Sequence, residues 1–564
     1  MDQKRQRKAK TSASNREQLQ RYPSSDLKAI LKTDLEFYGS GSKQLGVKKM
    51  DTSLERLSEG EVIQTGRSRE FLALRAIEGQ PHLDREDLHS KFASPRPSEP
   101  RARLVHITDF QLCDPSSPTR FEFVNKLFGI ASAKDLFPGH RAQETLIPFA
   151  IAQAIAYINE LSSKSSIDMC LITGDTIDNS QANEAETLLS LLSGEALELK
   201  KTFGQYFGVQ STEWNDDFFW HPDSIDDQPK SELGYPTLEG LFKAINDKYP
   251  NQGLLVPWLL SNGNHEVLIQ GMGACTEASN ALAVGGQKAF DFGDNIDYLV
   301  ASRKFETDPS TVFSKAERRP VEPSSQRRLI QSHEFIEMIR ETPGLPNGHG
   351  FLDKGGLEAN FNFVHLDRIK GIVYIFLDTA VRSGGARGGI DNEQFEWLKS
   401  ALAQSFDEIQ SPSPIGIIVS HHGLDEIDFN GNPEVTRSSL VDLIHSYRQI
   451  RLWFCGHTHE NRILAIPNPN RADTGLFQIT SASMMDWPCS IREASIYDYE
   501  NGEIEVELTM HHSNSAKPKT ITSIYDLASW HQLIAANSPY IGIDSFLEGA
   551  PEDQNVRLWF GAID

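Results

Sequence analysis

At 564 residues the chain is long enough to bury a large hydrophobic core and to carry additional lobes. Its formal net charge of −23 argues against nucleic acid or an anionic membrane surface as a partner, because both attract basic protein surfaces. Its five cysteines form no close CxxC pair, which suits a reducing compartment, and no apolar run approaches the ~20 residues of a membrane span. We therefore expect a cytoplasmic protein without a membrane or nucleic-acid partner.

Residues 1 to about 100 are polar and charged, which predicts an N-terminal extension that is partly disordered and ends in a Pro-rich linker. From Arg103 onward, short apolar runs alternate with stretches of helical periodicity, as in an α/β domain. The predicted strands are 104–107, 169–172, 254–260, 372–377, 415–419 and a run that ends at Cys455. The predicted helices are 144–161, 392–403 and 438–447.

Two long insertions interrupt this alternation, at about 200–250 and 270–365. Because they leave and re-enter at strand ends, where α/β active sites lie, we interpret them as a possible lid. The first insertion contains an aromatic run, Trp214 to His221, which either stacks on a substrate or forms the small core of its own lobe.

After Cys455 the pattern becomes antiparallel, with a turn predicted at Asn501-Gly502. The predicted strands of this part are 477–481, 494–499 and 504–510. We predict one domain over residues 101–515. Residues 516–564 are expected to form a helical tail packed on it, with a helix near 524–535.

Polar side chains follow five of the predicted strands at the point where each strand ends. The clusters are Thr108-Asp109-Phe-Gln111, Thr173-Gly-Asp175, Asn262-Gly-Asn-His-Glu266, Ser420-His421-His422-Gly423 and Gly456-His-Thr-His459. Reactive groups of α/β sheets gather at the carboxyl ends of strands, so these clusters predict one shared site. The last cluster presents two imidazoles one residue apart, beside a glycine that lets the backbone turn.

Together these clusters offer more donor side chains than a single metal ion can use. Mixed carboxylate, amide and imidazole ligands suit Zn, Mn or Fe rather than the thiolate sites of structural zinc. Two ions that share a bridging carboxylate, roughly 3.5–4 Å apart, would use these donors, and this arrangement is common for displacement at phosphorus. The sequence therefore predicts two divalent metal ions, whose identity it leaves open.

The order of the motifs, D-x-[H], G-D, G-N-H-[DE], H and G-H-x-H, resembles the calcineurin-like metallophosphoesterase superfamily. The resemblance covers about residues 103 to 512, and four of the five motifs are complete. It implies an α/β fold of the metallophosphoesterase type, which is a double β-sandwich of mixed sheets flanked by helices. It also implies metal-dependent hydrolysis of phosphoric esters.

Carried over position by position, the resemblance implies a role for each donor. The bridging ligand would be Asp175. The ligands of the first ion would be Asp109, Gln111 and His459, and those of the second ion Asn264, His421 and His457. His265 would be the general acid or a phosphate-binding imidazole, with Glu266 orienting it, and Asn264 would also contact the substrate.

Gln111 departs from the family pattern, which usually has histidine at this position. An amide oxygen is a weaker donor than imidazole, so the first site would hold its metal loosely or favour a harder ion such as Mn. Three interpretations stay open: Gln111 binds the metal through its oxygen, it lies behind a water that fills the gap, or the site is degenerate and poorly active.

Three further side chains are candidates for contact with the substrate. Arg382 and Arg387 lie in a glycine-rich loop after a strand and would grip phosphate oxygens through their planar guanidinium groups, although such loops often only turn the chain. His422 either contacts the substrate or hydrogen bonds to the backbone.

The alternatives for three neighbouring charged residues are also open. Arg120 and Arg141 either steer anions or form surface ion pairs. Asp178 either compensates for Gln111 as a ligand or caps the turn and helix that follow it.

The predicted function is hydrolysis of a small phosphorylated substrate by a hydroxide that two metal ions activate, as in a phosphatase or a phosphodiesterase. The sequence does not decide between monoesters and diesters. The alternative is a catalytically weakened member of the superfamily that binds a phosphorylated ligand or a partner protein.

Overall fold

The computed structural model describes residues 50–131, 139–204, 208–224, 226–293, 297–351, 360–429, 434–514, 518 and 520–562. The strands are β1 (Glu55–Thr65), β2 (Glu70–Glu78), β3 (Leu83–Arg85), β4 (Ala102–Ile107), β5 (Met169–Ile172), β6 (Trp258–Leu260), β7 (Leu268–Ile269), β8 (Gly273–Ala274), β9 (Gln287–Asp291), β10 (Glu317–Pro320), β11 (Phe363–Asp367), β12 (Ile372–Leu377), β13 (Ile415–Ser420), β14 (Ile450–Cys455), β15 (Arg462–Asn468), β16 (Arg471–Thr480), β17 (Ser490–Asp498), β18 (Ile504–His512) and β19 (Val556–Phe560). The α-helices are α1 (Ile147–Lys164), α2 (Ala182–Ser193), α3 (Leu199–Phe203), α4 (Gln228–Leu233), α5 (Leu241–Ile245), α6 (Glu277–Ala283), α7 (Tyr298–Thr307), α8 (Pro309–Phe313), α9 (Ser332–Glu341), α10 (Asn392–Glu408), α11 (Arg437–His445) and α12 (Ile524–Ala536).

Two mixed sheets form the centre of the molecule. The seven-stranded sheet has the order β3-β19-β18-β17-β4-β5-β6, and the six-stranded sheet has the order β11-β12-β13-β14-β16-β15. Strands β4, β5 and β6 run parallel in the first sheet, as do β12, β13 and β14 in the second. Carboxyl ends of parallel neighbours lie at one edge of a sheet, so each sheet brings several strand ends together.

The two sheets pack face to face over a shared apolar core. Leu104 and Leu171 of the first sheet and Phe376, Val419 and Phe454 of the second belong to this core and are fully or almost fully buried. Helices α1 and α12 cover the outer face of the first sheet, and α10 and α11 cover that of the second. The predicted double β-sandwich of mixed sheets flanked by helices is therefore confirmed.

The third predicted strand is shorter than expected. The sequence analysis assigned 254–260, whereas β6 covers only Trp258–Leu260. Pro257 precedes the strand, and proline has no N–H to donate to a ladder, so it stands at the start of the paired segment. The predicted strands 169–172 and 372–377 coincide with β5 and β12.

Both terminal regions contribute strands. In the N-terminal region the structure describes a hairpin, β1–β2, and the short strand β3, which pairs with β19 in the seven-stranded sheet. Residues 1–49, where disorder was predicted, lie outside the described residues. In the C-terminal region the predicted helix is α12, and β19 pairs with β18, so this region is part of the sheet as well as a helical cover.

The two insertions lie between strands of the sandwich and differ in structure. In the first, Trp214 and Phe219 pack with Val209 and Val321 into a small apolar cluster, which favours the interpretation of the aromatic run as a core of its own lobe. The second carries α6 to α9 and β8 to β10. Across the described ranges, no helix combines the length and the apolar character that crossing a membrane requires.

Candidate metal centre

The loops after β4, β5, β6, β13 and β14 bring the predicted metal ligands to one place. Asp109, Asp175, His457 and His459 have positive φ angles of 54°, 48°, 73° and 59°, and Gln111 has one of 45°. Residues with side chains rarely adopt this left-handed conformation, and it concentrates at functional sites where surrounding structure fixes it. The strands β4, β5 and β14 are therefore each followed by a sharp turn that directs a polar side chain to the common centre.

Two glycines allow these loops to approach each other closely. A Cβ on Gly263 would overlap Oδ1 of Asp175, and a Cβ on Gly456 would overlap Thr108 Oγ1 and Asp109 Oδ2. Glycine is therefore required at both positions for the backbone to lie against the two carboxylates.

The carboxylates and imidazoles are within a few ångströms of one another. His421 Nε2 lies 3.1 Å from Asp175 Oδ2 and 4.0 Å from Asp109 Oδ1, and His459 Nε2 lies 3.3 Å from Asp109 Oδ1. Donor atoms of Asp109, Asp175 and His421 lie within 4.8 Å of one another, as do those of His421, His422 and His457. This spacing fits a metal-binding cluster that brings both sheets together.

Three donor atoms in this cluster are buried without a hydrogen-bond partner among the described residues. They are Gln111 Oε1, Asn264 Oδ1 and His421 Nε2. His421 Nε2 is near Asp175 Oδ2, but their geometry is not that of a hydrogen bond. Leaving a buried polar atom unsatisfied costs about 1–3 kcal/mol, so several together indicate a missing electrophilic partner. Carboxylate, amide and imidazole donors fit divalent cations such as Zn, Mn or Fe in that role.

Second hydrogen-bond partners fix the orientation of two imidazoles of the cluster. His421 Nδ1 donates to the backbone oxygen of Thr173 at 2.7 Å, and His459 Nδ1 donates to Asp486 Oδ2 at 2.6 Å. With the proton on Nδ1, Nε2 carries the lone pair that a metal requires. Asp486 was missed by the sequence analysis, although it is a lone carboxylate in the otherwise apolar segment after β16.

Asn264 is fixed in a similar way. Its Nδ2 donates to the backbone oxygen of Gly271 at 2.9 Å, which leaves Oδ1 as the free donor of the amide. His457 lies beside the two other histidines, with ring centroids 5.1 Å from His421 and 4.4 Å from His422. His421 and His457 therefore lie together, and Asn264 lines the same cavity as His457.

Gln111 has the most ambiguous geometry of the predicted ligands. Its Nε2 lies 3.1 Å from His265 Nε2 and 3.2 Å from His459 Nε2, so the amide donates toward both imidazoles. A half-turn of the side-chain amide would exchange nitrogen and oxygen and place the oxygen beside the same two rings. The structure thus brings Gln111 to the predicted first site and leaves open whether it binds through oxygen.

The prediction that Glu266 orients His265 is wrong. Glu266 instead accepts hydrogen bonds from the backbone N–H groups of Gly263, Asp175, Thr176 and Ile177 and from the Thr176 hydroxyl. It therefore holds the loops after β5 and β6 together and shapes the backbone around Asp175. A carboxylate buried at a crossing of two loops binds the orphan N–H groups of those loops in preference to a side chain that points away.

Asp178 takes the position that had been assigned to Glu266. His265 Nδ1 lies 3.1 Å from both the carbonyl oxygen and Oδ1 of Asp178. Asp178 Oδ2 is paired with Arg120, which is buried and also binds Glu144 at 2.6 Å. The interpretation of Asp178 as a helix cap is therefore wrong, because the following helix begins after Gln181 and the Asp178 carboxylate binds His265 and Arg120. The ion pairs of Arg120 are buried and do not lie at the surface.

The electrostatic field of the cluster follows from the buried carboxylates. Burial lowers the pKa of His421, but Asp175 outweighs burial and raises this pKa to about 9. For His459, Asp109 and Asp486 together outweigh burial and the pKa rises to about 9. Burial and the neighbouring His421 lower the pKa of His457 to about 3. The carboxylates therefore draw positive charge to this place, and divalent cations would compete with protons for the same nitrogens.

Three of the candidate substrate contacts are bound elsewhere. Arg382 binds Asp378 at 2.7 Å and Ser332, and Arg387 binds the carbonyl oxygen of Asp425 at 2.7 Å and Glu426 at 3.4 Å. For His422, Nδ1 lies 2.9 Å from Thr379 Oγ1 and Nε2 lies 3.0 Å from the carbonyl oxygen of Ala386. The structure therefore favours the second alternative in each case: the glycine-rich loop turns back onto its own neighbours, and His422 hydrogen bonds to the backbone.

A cavity of about 170 Å³ opens beside the cluster. Gln111, Asp175, Asn264, His265 and His457 line its polar side. Arg141 also lines it, and its Nε donates to Asp486 Oδ1 at 2.8 Å, so one carboxylate holds both this arginine and His459. Arg141 is therefore a cation of the cavity rather than a partner in a surface ion pair.

Comparisons with known proteins agree with this geometry. The family model of the calcineurin-like phosphoesterases matches residues 102–461, and the chain therefore belongs to that family. The family indicates hydrolysis of phosphoesters as the general class of reaction and divalent metal ions as cofactors. No curated protein matches the chain.

Two solved structures match the chain at low identity and low TM-score. One is a dimetal phosphatase from Danio rerio, with 12% identity, a TM-score of 0.29 and coverage of 74% of this chain and 97% of that chain. The other is GAP50, the anchor in the inner membrane complex of Plasmodium, with 10% identity, a TM-score of 0.25 and coverage of 77% of this chain and 94% of that chain. At these values neither similarity bears on substrate or partner.

Proposed function

We propose that the protein hydrolyses phosphoric esters with two divalent metal ions at the cluster between the sheets. The observation that carries the proposal is the convergence of buried donor atoms, three of them without a hydrogen-bond partner, at one side of a cavity. Donors of this kind are costly to leave unsatisfied, and the family to which the chain belongs uses metal ions for phosphoester hydrolysis.

The proposed ligand sets are those that the family resemblance implies. Asp175 would bridge the ions; Asp109, Gln111 and His459 would hold the first, and Asn264, His421 and His457 the second. Bound divalent cations supply Lewis acidity at the phosphoryl oxygens and lower the pKa of coordinated water toward neutrality. The protein contributes the fixed tautomers of His421 and His459 and the close approach of the two carboxylates.

His265 is the proposed proton donor to the leaving oxygen. It lines the cavity, and Asp178 binds its Nδ1 and so fixes the ring. Its Nε2 faces the cluster, 3.7 Å from Asp175 Oδ2, where a leaving group of a bound phosphoester would depart. Asp178 replaces Glu266 in this proposal as the residue that positions His265.

Arg141 is the proposed contact for a phosphoryl oxygen. Asp486 fixes its guanidinium group through Nε, and within the described part of the chain its two terminal nitrogens have no hydrogen-bond partner. A planar guanidinium that is held in place binds a phosphoryl oxygen with little loss of side-chain entropy.

A metal titration with two substrates tests the proposal. Elemental analysis should find about two divalent ions per chain after loading with Mn, Zn or Fe. The loaded protein should hydrolyse para-nitrophenyl phosphate or its bis-ester, and Asn264→Ala and His457→Ala should abolish activity. His365→Ala, on strand β11 away from the cluster, is the matched control and should retain it.

Two results would contradict the proposal. One is a decrease in activity of less than tenfold when Asn264 or His457 is replaced by alanine and the protein stays folded. The other is binding of two metal ions without turnover on either substrate, which would instead support a weakened member that binds a phosphorylated ligand.

We also propose a reducing compartment such as the cytoplasm. All five cysteines are free thiols, and four of them are buried. A secreted protein of this size with buried, unpaired thiols would be unusual. Localisation of a tagged full-length chain in cell fractions tests this point, and recovery from a secretory compartment would contradict it.

A further inference from the structure

The cavity beside the metal donors has two chemically different sides. Opposite the donor side chains, the wall consists of apolar residues: Phe121, Val124, Met272, Phe292, Phe305 and Val312. Four of these come from the second insertion. The insertion that was interpreted as a lid therefore supplies the apolar half of the candidate active site.

The aromatic rings of this wall are fixed by contact with one another. Phe121 packs edge-on against Phe305, with ring centroids 4.6 Å apart and planes at 87°. Phe292 packs in the same manner against Phe123, at 4.8 Å and 81°. Rings that pack edge to face in a cluster hold their rotamers, so the wall is preformed and does not fill the cavity with its own side chains.

Of the polar side chains that line the cavity outside the donor cluster, Gln270 is fully bound within the protein and Arg141 is bound through Nε. Gln270 lines the cavity, but its Oε1 accepts from the N–H of Phe121 at 2.8 Å and its Nε2 donates to the carbonyl oxygen of Gly139 at 3.0 Å. A hydroxyl-rich group placed against this wall would lose hydrogen bonds to water without finding partners, which is unfavourable. A sugar or polyol is therefore a poor occupant of this side.

The volume limits the size of the occupant. The whole cavity measures about 170 Å³. An engineered apolar cavity of roughly 150 Å³ in another protein holds one benzene molecule. Because a phosphoryl group takes part of this volume, the organic group beside it is at most one ring or a short branched chain, rather than a long acyl chain or a nucleoside.

From these observations we infer that the substrate is a phosphate ester of a small apolar alcohol, about one aromatic ring in size, whose organic group lies against the wall of Phe121, Phe292, Phe305 and Val312. This inference rests on the proposed function, because it assumes that the phosphoryl group occupies the metal side of the same cavity.

Binding of phosphonates, which the enzyme cannot hydrolyse, tests the inference without turnover. Calorimetry of the Mn-loaded full-length protein should show that benzylphosphonate binds about tenfold or more tightly than 2-hydroxyethylphosphonate, because burying a ring of this size is favourable by that factor at least. Equal affinities, tighter binding of the hydroxyethyl compound or no binding of either would overturn the inference.

A pair of substitutions shows whether the wall is responsible. Val312→Thr keeps the side-chain shape but places a hydroxyl in the wall, and it should weaken benzylphosphonate about three- to tenfold while leaving the hydroxyethyl compound unchanged. Val321→Thr is the matched control, since Val321 has similar burial in the neighbouring cluster with Trp214 and should leave both affinities unchanged. Equal effects of the two substitutions would contradict the assignment of the wall.

Turnover of benzyl phosphate and glycerol phosphate separates this inference from the proposed function. Preferential binding of benzylphosphonate without hydrolysis of either ester would refute hydrolysis and support the ligand class. Hydrolysis of both esters with equal kcat/KM, together with equal phosphonate affinities, would support hydrolysis and refute the ligand class.

Discussion

The two predicted cation sites differ in what holds their ligands. At the second site, the two fixed ligands are held by backbone oxygens: His421 by Thr173 and Asn264 by Gly271. At the first site, His459 is held by the carboxylate of Asp486, and Gln111 contacts only imidazoles through its amide nitrogen. Geometry at the second site thus follows from the fold itself, whereas at the first it depends on individual side chains.

The carboxylate support extends beyond the first site. Asp486 also binds Arg141, and Asp178 links His265 to the buried Arg120, which in turn binds Glu144. Removing one partner of a buried ion pair leaves an uncompensated charge, which is strongly destabilising. We therefore expect substitutions to change metal affinity gradually at the first site and to abolish metal binding at the second.

The largest effect is expected at His421, whose Nε2 lies near both carboxylates of the cluster. His421→Ala should lower kcat/KM for para-nitrophenyl phosphate by at least about a thousandfold, because several kcal/mol of transition-state stabilisation depend on a held metal ion. Elemental analysis should find fewer than two ions per chain. His445→Ala on α11 is the control and should keep both ions and activity. If His421→Ala also kept both ions and activity, the proposed difference between the two sites would be wrong.

A stability effect is expected at Glu144, behind the first site. Although burial raises the pKa of Glu144, Arg120 and His140 outweigh it and lower the pKa from 4.5 to about 2. The stabilisation is fully present above pH 4.5 and is lost as the pH falls toward 2. A shift of this size corresponds to about 3 kcal/mol.

Glu144→Gln should therefore lower the free energy of unfolding at pH 7 and have a smaller effect at pH 3. Denaturant unfolding at both pH values measures this difference, with Glu160→Gln on the solvent side of α1 as the control. An equal loss at the two pH values would mean that the carboxyl group acts through packing rather than charge.

The sequence was sufficient to predict that the candidate ligands share one site, but not which residues hold them in position. Asp109, Asp175 and His421 follow buried strands within three residues. The carboxyl ends of parallel strands meet at one edge of a sheet, and this does not depend on the conformation of the loops. Asp178, rather than Glu266, binds His265, and Glu266 binds backbone N–H groups instead. These hydrogen-bond partners depend on how two loops cross, and sequence periodicity contains no information about that. Spacing alone could therefore predict that a donor belongs to the site, but not which neighbour holds it.

The fold was predictable to a similar degree. Strands with continuous apolar runs such as 372–377 were placed correctly, because burial on both faces leaves a strong signal. The strand β19 was missed in a polar tail, although Val556-Arg-Leu-Trp-Phe560 has the apolar and aromatic composition of a strand. The apolar wall of the cavity could not be predicted, since its phenylalanines come from segments far apart in sequence.

A moderate effect is expected at Asp486, the carboxylate that serves two partners. Asp486→Asn should weaken metal binding at the first site about 10- to 100-fold, the usual effect of removing a partner of a ligating histidine. It should also raise KM, because Arg141 loses its fixed position. Chelator competition and steady-state kinetics measure the two effects separately.

Arg141→Ala is the variant that separates the two roles of Asp486. It should raise KM for the phosphoester and leave metal affinity unchanged, since His459 keeps its carboxylate. If Arg141→Ala lowered metal affinity as much as Asp486→Asn, the two roles of Asp486 would not be separable. The claim that Asp486 supports the first site through His459 would then be contradicted.

The smallest effect is expected at Gln111, where the chain departs from the family pattern. Imidazole is a stronger donor to Zn than an amide oxygen, so Gln111→His should tighten Zn binding at the first site by about tenfold and leave the second site unchanged. Chelator competition with Zn and Mn measures the change, and the gain should be smaller for Mn, which accepts oxygen ligands readily.

Gln111→Leu distinguishes the interpretations of this residue, because it removes both amide atoms at a similar side-chain volume. If the oxygen is a ligand, Gln111→Leu should loosen the first ion while Gln111→His tightens it. If the amide only donates to His265 and His459, the leucine variant should leave metal affinity unchanged and alter the kinetics through His265. Loosening by both substitutions would show that this position needs an amide, and the first site would then be adapted to glutamine rather than weakened by it.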